Sequence, residues 1–396
     1  MSATTPATRG SWLRDIAPSS VAAGFVTVLV GFTSSAVIVF QAAQALGASE
    51  AETASWLWAL GIGMGVTCIG LSLRWRIPVV TAWSTPGAAM LVASNAGVPL
   101  SDAIGAFVLT AAMTAVAGFS GLFERGMRRV PLALASGLLG GVLLRFGMDV
   151  FVSMRTQMAM TLAMFVVYLC GRRWFPRYAV LATLLLGMSI AGASGLLHLG
   201  DVELRVARPV FTMPSLSLAA IFGIALPLFV VTMASQNIPG IAVARASGYE
   251  PPVSSTIGWI GTTNILLAPF GAYSLCMAAI TAAICSGREA HPDPSKRYVA
   301  SVFAGIFYLF TGVFGATVAA LFAAFPKELV LAVAGLALFG TIGNSLSVAL
   351  REDRDREAAL ITFLVTASGF SFGGIGSAFW GLIAGGIALL LRPRVR

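Results

Sequence analysis

The chain has 396 residues, of which 57% are hydrophobic and only 10% are charged. A soluble protein carries about 25% charged residues, so this composition excludes a water-soluble protein and predicts an integral membrane protein. The formal net charge of +9 would suggest a nucleic-acid partner in a soluble chain. In a membrane protein the positions of the basic residues decide what the charge means, and no nucleic-acid partner is expected.

Fourteen apolar segments follow one another along the chain, each about long enough to cross a bilayer. Residues 1–17 are polar and are expected to stay as a cytoplasmic tail, because the first apolar run is too long for a signal peptide. Segments three and ten are short and interrupted by Pro, Gly and hydroxyl residues. In chain order the segments cover roughly 18–46, 52–73, 79–96, 101–121, 131–148, 154–171, 178–197, 216–244, 252–267, 269–286, 296–325, 328–350, 357–372 and 374–391.

The placement of basic residues sets the predicted orientation. With fourteen crossings, 20 of the 25 Lys and Arg residues fall on the side of the N-terminus. Four fall on the other side, and Arg145 lies within a segment, where it is expected to form an i,i+4 pair with Asp149. Basic residues accumulate in cytoplasmic loops, so both termini are predicted to be cytoplasmic. If either broken segment did not cross the membrane, every later loop would be assigned to the opposite side and the excess of basic residues would be lost. Both are therefore counted as crossings.

The two broken segments carry the main functional signal. Pro86 and Pro269 each remove a backbone donor and disfavour helix at the preceding residue. We predict extended stretches at 79–82 and 268–272, followed by half-helices that begin at 84–87 and 273–275. Two opposed half-helix N-termini would form a site for a small anion, with hydroxyl donors beside them. The alternative is a pair of Pro-kinked helices whose Ser and Thr side chains satisfy freed carbonyls.

Three similarities between the halves indicate an internal repeat. Residues 132–138 resemble 331–336, the broken segments correspond, and Gln41 corresponds to Gln236. Each pair is seven segments apart, and since seven is odd the second half must be inverted in the membrane. We predict an all-α polytopic membrane protein with 14 transmembrane segments in a 7+7 inverted repeat and with segments 3 and 10 discontinuous. Chance similarity between Leu-, Ala- and Gly-rich helices is the alternative.

Other chemistries find little support. The four cysteines show no paired spacing, so neither a disulfide framework nor a metal site is expected. His198 and His291 lie in loops, and no HExxH or GxSxG motif occurs, so we expect no enzyme and no cofactor. A channel is disfavoured because no ring of like charges is available for a filter.

Three sequence runs carry a family resemblance. They are TAWSTPGAA at 81–89, SQNIPG at 235–240 and NILLAPFG at 264–271. The chain resembles the benzoate/proton symporter (BenE) family essentially end to end, and that family is similar in architecture to nucleobase and sulfate/anion transporters. The resemblance implies import of benzoate or a similar aromatic carboxylate with protons, in a bacterial inner membrane, by an elevator mechanism. A nucleobase or inorganic-anion transporter, or an anion channel on the same fold, is the alternative.

The resemblance also implies a division of the chain. Segments 1–4 and 8–11, at 18–121 and 201–326, would form a core that carries substrate. Segments 5–7 and 12–14, at 122–200 and 327–396, would form a gate and the scaffold of a homodimer embedded in lipid.

Candidate substrate-binding residues follow from the broken segments, the polar residues in apolar helices and the resemblance. They are Gln41, Ser84, Thr85, Gly87, Ala88, Gln236, Asn237, Tyr273, Ser274, Leu275 and Cys276, joined by Phe40, Trp83, Asn264, Phe270 and Asn344. Each Asn or Gln could instead serve as a contact between helices.

The candidate set departs from the family pattern in one respect. Nucleobase relatives carry carboxylates in segments 8 and 10, where this chain has Gln236, Asn237, Tyr273 and Ser274. Their absence suits an anionic substrate but leaves the proton carrier open. It could be a carboxylate at a segment end, the carboxyl group of the substrate, or a chain of hydroxyls and water. The segment-end carboxylates are Asp102, Glu124, Asp149 and Glu328.

Overall fold

The computed structural model describes residues 12–93, 98–127, 130–175, 178–197, 206–315, 317, 325–370, 372 and 377–391. Most of the predicted N-terminal tail and the loop residue His198 lie outside these ranges. The described chain is mainly helical. Its first half contains α1 (Pro18–Ala45), α2 (Glu50–Trp75), β1 (Thr81–Trp83), α3 (Thr85–Ala93), α4 (Leu100–Phe119), α5 (Leu122–Met127), α6 (Leu132–Ser153), α7 (Met158–Trp174) and α8 (Ala179–Ala193).

The second half contains one long helix followed by shorter elements. It comprises α9 (Leu218–Ala246), α10 (Val253–Leu267), β2 (Leu275–Met277), α11 (Ile280–Ser286), α12 (Tyr298–Val313), α13 (Lys327–Ala349), α14 (Asp353–Ala367) and α15 (Ser377–Leu391). Helix α9 includes two π-helical turns, Ile221–Ala225 and Met233–Asn237. Such wide turns often mark functional positions in a helix.

Local sequence explains where the helices begin and end. Ser49 and Glu52 form a capping box at the start of α2, in which the Ser49 hydroxyl accepts from the Glu52 N–H. The helix ends at Trp75, and the next residue, Arg76, caps it with a left-handed φ of 53°, two residues before Pro78. At the opposite end of a helix, Pro99, Pro131 and Pro326 occupy the N-cap positions of α4, α6 and α13.

Helices from the two halves pack in pairs across the molecule. Helix α2 lies along α12, α4 along α10, and α6 along α13. Glycines allow the close approach in the first two pairs. A Cβ on Gly61 would lie only 2.5 Å from Gly312 Cα, and a Cβ on Gly118 would lie only 2.3 Å from the Gly258 nitrogen. Small residues let helices approach closely in a membrane, where water does not drive their association.

The broken segments meet as a short antiparallel sheet between the two halves. Thr81 pairs with Met277, Ala82 with Cys276 and Trp83 with Leu275. Flanking bonds from Ser84 N to Ser274 O (3.1 Å) and from Ala278 N to Val80 O (2.9 Å) extend the ladder. Each strand thus satisfies the backbone groups that the other would otherwise leave unpaired in an apolar interior.

The structure corrects the expected start of the second half-helix. Residues 273–275 do not begin a helix, because 275–277 form β2 and α11 starts only at Ile280. The predicted extended stretch at 268–272 is also wrong, since Ala268–Phe270 is a 3-10 turn that ends at Gly271 with a φ of 99°. In the second broken segment the turn at 268–271 therefore comes first, and the extended strand β2 follows it. In the first broken segment the structure has β1 followed by α3, whose first residue, Thr85, lies within the predicted range.

Five described helices are long and apolar enough to cross a bilayer by length and composition. They are Glu50–Trp75, Leu100–Phe119, Leu132–Ser153, Leu218–Ala246 and Lys327–Ala349. Pro18–Phe32, Ala179–Ala193 and Ser377–Leu391 are shorter apolar helices. Large apolar side chains such as Val116, Leu266 and Leu390 point outward and are 69–86% exposed, as expected for a surface covered by lipid. The count of fourteen crossings in a 7+7 repeat stays a prediction.

Charged residues from three distant segments meet at one end of the bundle. Asp15 lies 3.6 Å from Arg76 and 3.4 Å from Lys296, and its carboxylate accepts a 2.7 Å hydrogen bond from Tyr298. The positive-inside count assigns these segments to the same side of the membrane. Their contact fits that grouping, while the orientation itself stays a prediction.

We expect Gly271→Ala to unfold the junction before β2. Its Cβ would lie 1.8 Å from Trp56 Cδ1 in a left-handed conformation, so strain and overlap together should cost about 2–5 kcal/mol. Thermal unfolding of the detergent-solubilised protein measures the loss. Gly47→Ala is the matched control, since Gly47 has a φ of 76° but no described atom within 4 Å of the new Cβ. Equal losses in both variants would contradict the packing argument.

Candidate functional site

A cavity of about 360 Å³ lies where the two broken segments meet. Its size falls in the range of small-molecule sites. Its walls are mostly apolar and aromatic, and none of the described residues that line it is charged. They are Val30, Gly31, Ser35, Met64, Ala82, Trp83, Thr85, Pro86, Phe146, Gln236, Ala278, Ala279, Ile280, Thr281 and Tyr308.

The aromatic wall of the cavity is held in a fixed orientation. The Trp83 indole N–H donates to the Ser35 hydroxyl (3.0 Å), which donates in turn to the Gly31 carbonyl (2.9 Å). Phe32 packs edge-on against Trp83 with ring centroids 4.9 Å apart. The polar edge of Trp83 is thus satisfied within the protein, and the residue forms part of the cavity wall.

Both broken segments turn from strand to helix at this cavity. Thr85 and Pro86 open α3, and Ala279, Ile280 and Thr281 surround the start of α11. In the first turn of α3 the Gly87 N–H donates to the Ser84 hydroxyl and the Ala88 N–H to the Ser84 carbonyl. Since Pro86 has no N–H, Thr85 is the lining residue of this turn that carries both a backbone and a side-chain donor.

A buried hydroxyl triad ties the strand ends to α9. The Thr232 hydroxyl donates to the Ser84 hydroxyl (3.0 Å) and lies 3.1 Å from the Ser274 hydroxyl. The three residues are at most 2% exposed. Thr232 directly precedes the second π-helical turn of α9, so the triad fixes that turn against both broken segments.

The second π-helical turn also contacts β2 directly. The buried Asn237 accepts a 2.8 Å hydrogen bond from the Met277 N–H through Oδ1. The preceding residue, Gln236, is half-buried and lines the cavity. Asn237 therefore supports the sheet, while its neighbour is free to contact a ligand.

An aromatic cluster supports the sheet from behind. The Tyr273 hydroxyl donates to the Ser84 carbonyl (3.0 Å), and its fully buried ring packs against Trp56 and Phe107. Gly87 is also buried behind the site, since a Cβ there would lie 2.6 Å from Leu228 Cδ1. These residues shape the site through packing.

The structure distributes the predicted site residues unevenly. Trp83, Thr85 and Gln236 line the cavity. Ser84, Gly87, Ala88, Asn237, Tyr273, Ser274, Leu275, Cys276 and Asn264 are buried, and they are not among its lining residues. Phe40 lines a separate cavity of about 410 Å³, Phe270 is half-buried, and Gln41 and Asn344 are exposed. Substrate contact by these residues stays a prediction.

Several lining residues were missed in the sequence. Ser35, Phe146, Thr281 and Tyr308 carry no motif of their own. The offset between Gln41 and Gln236, added to Thr85 and Pro86, gives Ile280 and Thr281. The internal repeat could therefore have predicted the lining residues at the start of α11.

Together these features define a mainly helical protein with membrane-like apolar helices and a cavity whose described lining is uncharged. Comparison with known sequences makes the class specific. The family model described as "Benzoate membrane transport protein" (BenE) matches residues 14–391. The chain belongs to this family of membrane transport proteins, and the resemblance found in its sequence is confirmed.

Two relatives align along nearly their whole length. The chain is 48% identical over 379 residues to "Inner membrane protein YdcO" of Escherichia coli (strain K12), covering 96% of this chain and 97% of that protein. It is 38% identical over 383 residues to "Benzoate membrane transport protein" of Acinetobacter baylyi, with the same coverage of each.

Solved structures give more distant likenesses. SLC26A9 matches with a TM-score of 0.47 at 12% identity, covering 96% of this chain and 66% of that one. The transmembrane domain of the cyanobacterial bicarbonate transporter BicA matches with a TM-score of 0.46 at 14% identity, covering 93% and 97%.

We expect Thr232→Val to destabilise the site, because it leaves the Ser84 and Ser274 hydroxyls without their shared partner. The loss should be about 1–3 kcal/mol, whereas Thr232→Ser should stay close to the wild type. Thermal unfolding measures both. Thr114→Val is the control, since within the described part of the chain the buried Thr114 hydroxyl bonds to one carbonyl of its own helix (2.9 Å). A loss in Thr114→Val as large as in Thr232→Val would contradict the role of the triad.

Proposed function

We propose that this protein imports benzoate or a similar aromatic carboxylate, together with protons, across a bacterial inner membrane. The observation that carries the proposal is the uncharged, aromatic-walled cavity at the junction of the two broken segments. Family membership supports the substrate class, since the relative from Acinetobacter baylyi is named a benzoate transport protein. The name of the Escherichia coli relative supports the inner membrane.

The cavity suits the two ends of an aromatic carboxylate separately. Trp83, Phe146 and Tyr308 offer ring faces and edges for the benzene ring. Thr85, Gln236 and Thr281 offer hydroxyl and amide donors for the carboxylate. A lining carboxylate would repel this substrate, and a lining Lys or Arg would carry a large desolvation cost in the membrane.

The starts of the short helices add a favourable field. A helix N-terminus presents unpaired N–H groups and the positive end of the helix dipole. At α3 the Thr85 N–H and hydroxyl lie at this position, and at α11 the residues Ile280 and Thr281 do. The carboxylate would lie between them, with the ring against Trp83.

Proton coupling would operate without a carboxylate in the cavity. The Asp102 carboxylate accepts from Ser215, Glu124 accepts from the Ser254 N–H (3.0 Å), and Glu328 accepts from Thr156 (2.9 Å), all at helix ends. Asp149 is half-buried in α6 and does not line the cavity. The substrate carboxyl group and a hydroxyl and water chain remain the two routes that need no such residue.

We further propose that the halves form an inverted 7+7 repeat, with 18–121 and 201–326 as a mobile core and 122–200 and 327–396 as a gate and dimer scaffold. Exchanging the halves maps the contact of α2 with α12 onto that of α10 with α4, which supports the repeat. It also maps the contact of α1 with α13 onto that of α9 with α6. An elevator motion of the core against the gate would then give alternating access.

Uptake into proteoliposomes tests the function. With an inward proton gradient, labelled benzoate should accumulate saturably, and a protonophore should abolish the accumulation. Uptake of labelled uracil or sulfate that benzoate does not inhibit would support the nucleobase or inorganic-anion alternative. Absence of any benzoate accumulation by inserted, folded protein would overturn the proposal.

Removing cavity donors should weaken benzoate binding without unfolding the protein. Thr85→Val and Gln236→Leu each delete a hydrogen bond to a charged group at nearly constant volume, and such a bond is worth about 1.5–3 kcal/mol. The Kd for benzoate, measured by calorimetry, should therefore rise by roughly 10- to 150-fold. Gln44→Leu is the matched control, because Gln44 lines the separate cavity. Unchanged affinity in both cavity variants would place the carboxylate elsewhere.

A further inference from the structure

An ion pair joins α7 to the loop that follows α11. The Arg172 guanidinium, in the last turn of α7, donates to the Glu289 carboxylate. The Glu289 side chain is only 11% exposed, while that of Arg172 is 44% exposed. Burial raises the pKa of the Glu289 carboxyl, and Arg172 counteracts that shift, with smaller contributions from Arg297 and Arg288.

The surroundings of the pair are shaped to hold it. Arg172 Nη1 lies 3.4 Å from the Tyr168 hydroxyl, and the guanidinium lies 5.9 Å from the centre of the Tyr168 ring. A Cβ on Gly340 of α13 would lie 3.1 Å from the Glu289 carboxylate and 3.4 Å from the guanidinium. The glycine therefore leaves the space in which the two charges meet.

The loop that carries Glu289 is connected directly to the cavity. The first residues of α11 line the cavity, and the helix is only seven residues long. The loop begins directly after it. At the other end of the loop the buried Arg297 donates to the Ser286 carbonyl at the end of α11 (2.9 Å) and to the His291 carbonyl (2.8 Å). The loop and α11 are thus tied together, and Arg172 attaches them to α7.

We propose that the Arg172–Glu289 pair is a latch that holds α11 and its loop against α7 and α13, and that it opens during each transport cycle. The opening rests on the proposed function, in which α11 belongs to the mobile core and α7 and α13 belong to the gate. Arg172 and Glu289 act as positioning residues, because they reach the cavity only through α11.

Hydrogen exchange of the intact protein in nanodiscs, without substrate, tests the latch. In Arg172→Gln and Glu289→Gln, amides in 280–297 should exchange roughly two- to fivefold faster, as expected for loss of one ion pair. Gly340→Val should act in the same way by separating the charges without removing them. The charge swap Arg172→Glu with Glu289→Arg should restore slow exchange. Arg173→Gln, at the exposed neighbouring position, should have no effect.

The outcomes separate a latch from a general structural contact. Faster exchange that extends to α4, failure of the charge swap to restore slow exchange, or an equal effect of Arg173→Gln would overturn the latch. The Vmax of benzoate uptake should change two- to fivefold in the three latch variants while KM stays constant. An unchanged Vmax would overturn the role in the cycle. Because the exchange experiment contains no benzoate, its result is independent of whether benzoate is the substrate.

Discussion

The paired strands β1 and β2 are the constraint on which the site depends. Non-helical backbone inside an apolar bundle must find hydrogen-bond partners within the protein. Each strand has only three residues, and its partner lies in the other half of the chain. Neither broken segment could therefore exist alone. The interruption of one half is stabilised by the interruption of the other, and this mutual requirement places the starts of two short helices next to one cavity.

Around this sheet the polar chemistry is built from hydroxyl and amide groups. Thr232, Ser84 and Ser274 bond to each other, Asn237 supports β2, and Tyr273 bonds to the Ser84 carbonyl. Such groups are hydrogen-bonded in the buried state without a net charge, so they avoid the desolvation cost of ions. The charged contacts lie at the ends of the helices, as in the cluster around Asp15 and in the pair of Arg172 with Glu289.

The sequence located the cavity region better than it identified the individual contacts. Pro86 and Ser84 mark the start of α3, because a proline and an N-cap residue act locally. The corresponding break at Pro269 instead forms a turn, and the left-handed Gly271 delays the strand and α11 by several residues. Asn344 was predicted from its polarity, and Gln41 also from its correspondence with Gln236 and from the family resemblance. None of these signals tells which side of a helix faces the interior.

The composition of the cavity wall has a consequence for how it could empty. Among the described lining residues, Phe146 is the contribution of α6, while the others lie on α1, α2, α9, α12 and the two broken segments. Helix α6 thus closes one side of the cavity with a ring and without a polar group. The ring adds dispersion contacts, each worth a fraction of a kcal/mol. None of the hydrogen bonds described among Ser84, Thr232, Ser274, Asn237 and Tyr273 involves α6, so in the proposed cycle a movement of α6 away from the cavity would leave these bonds intact.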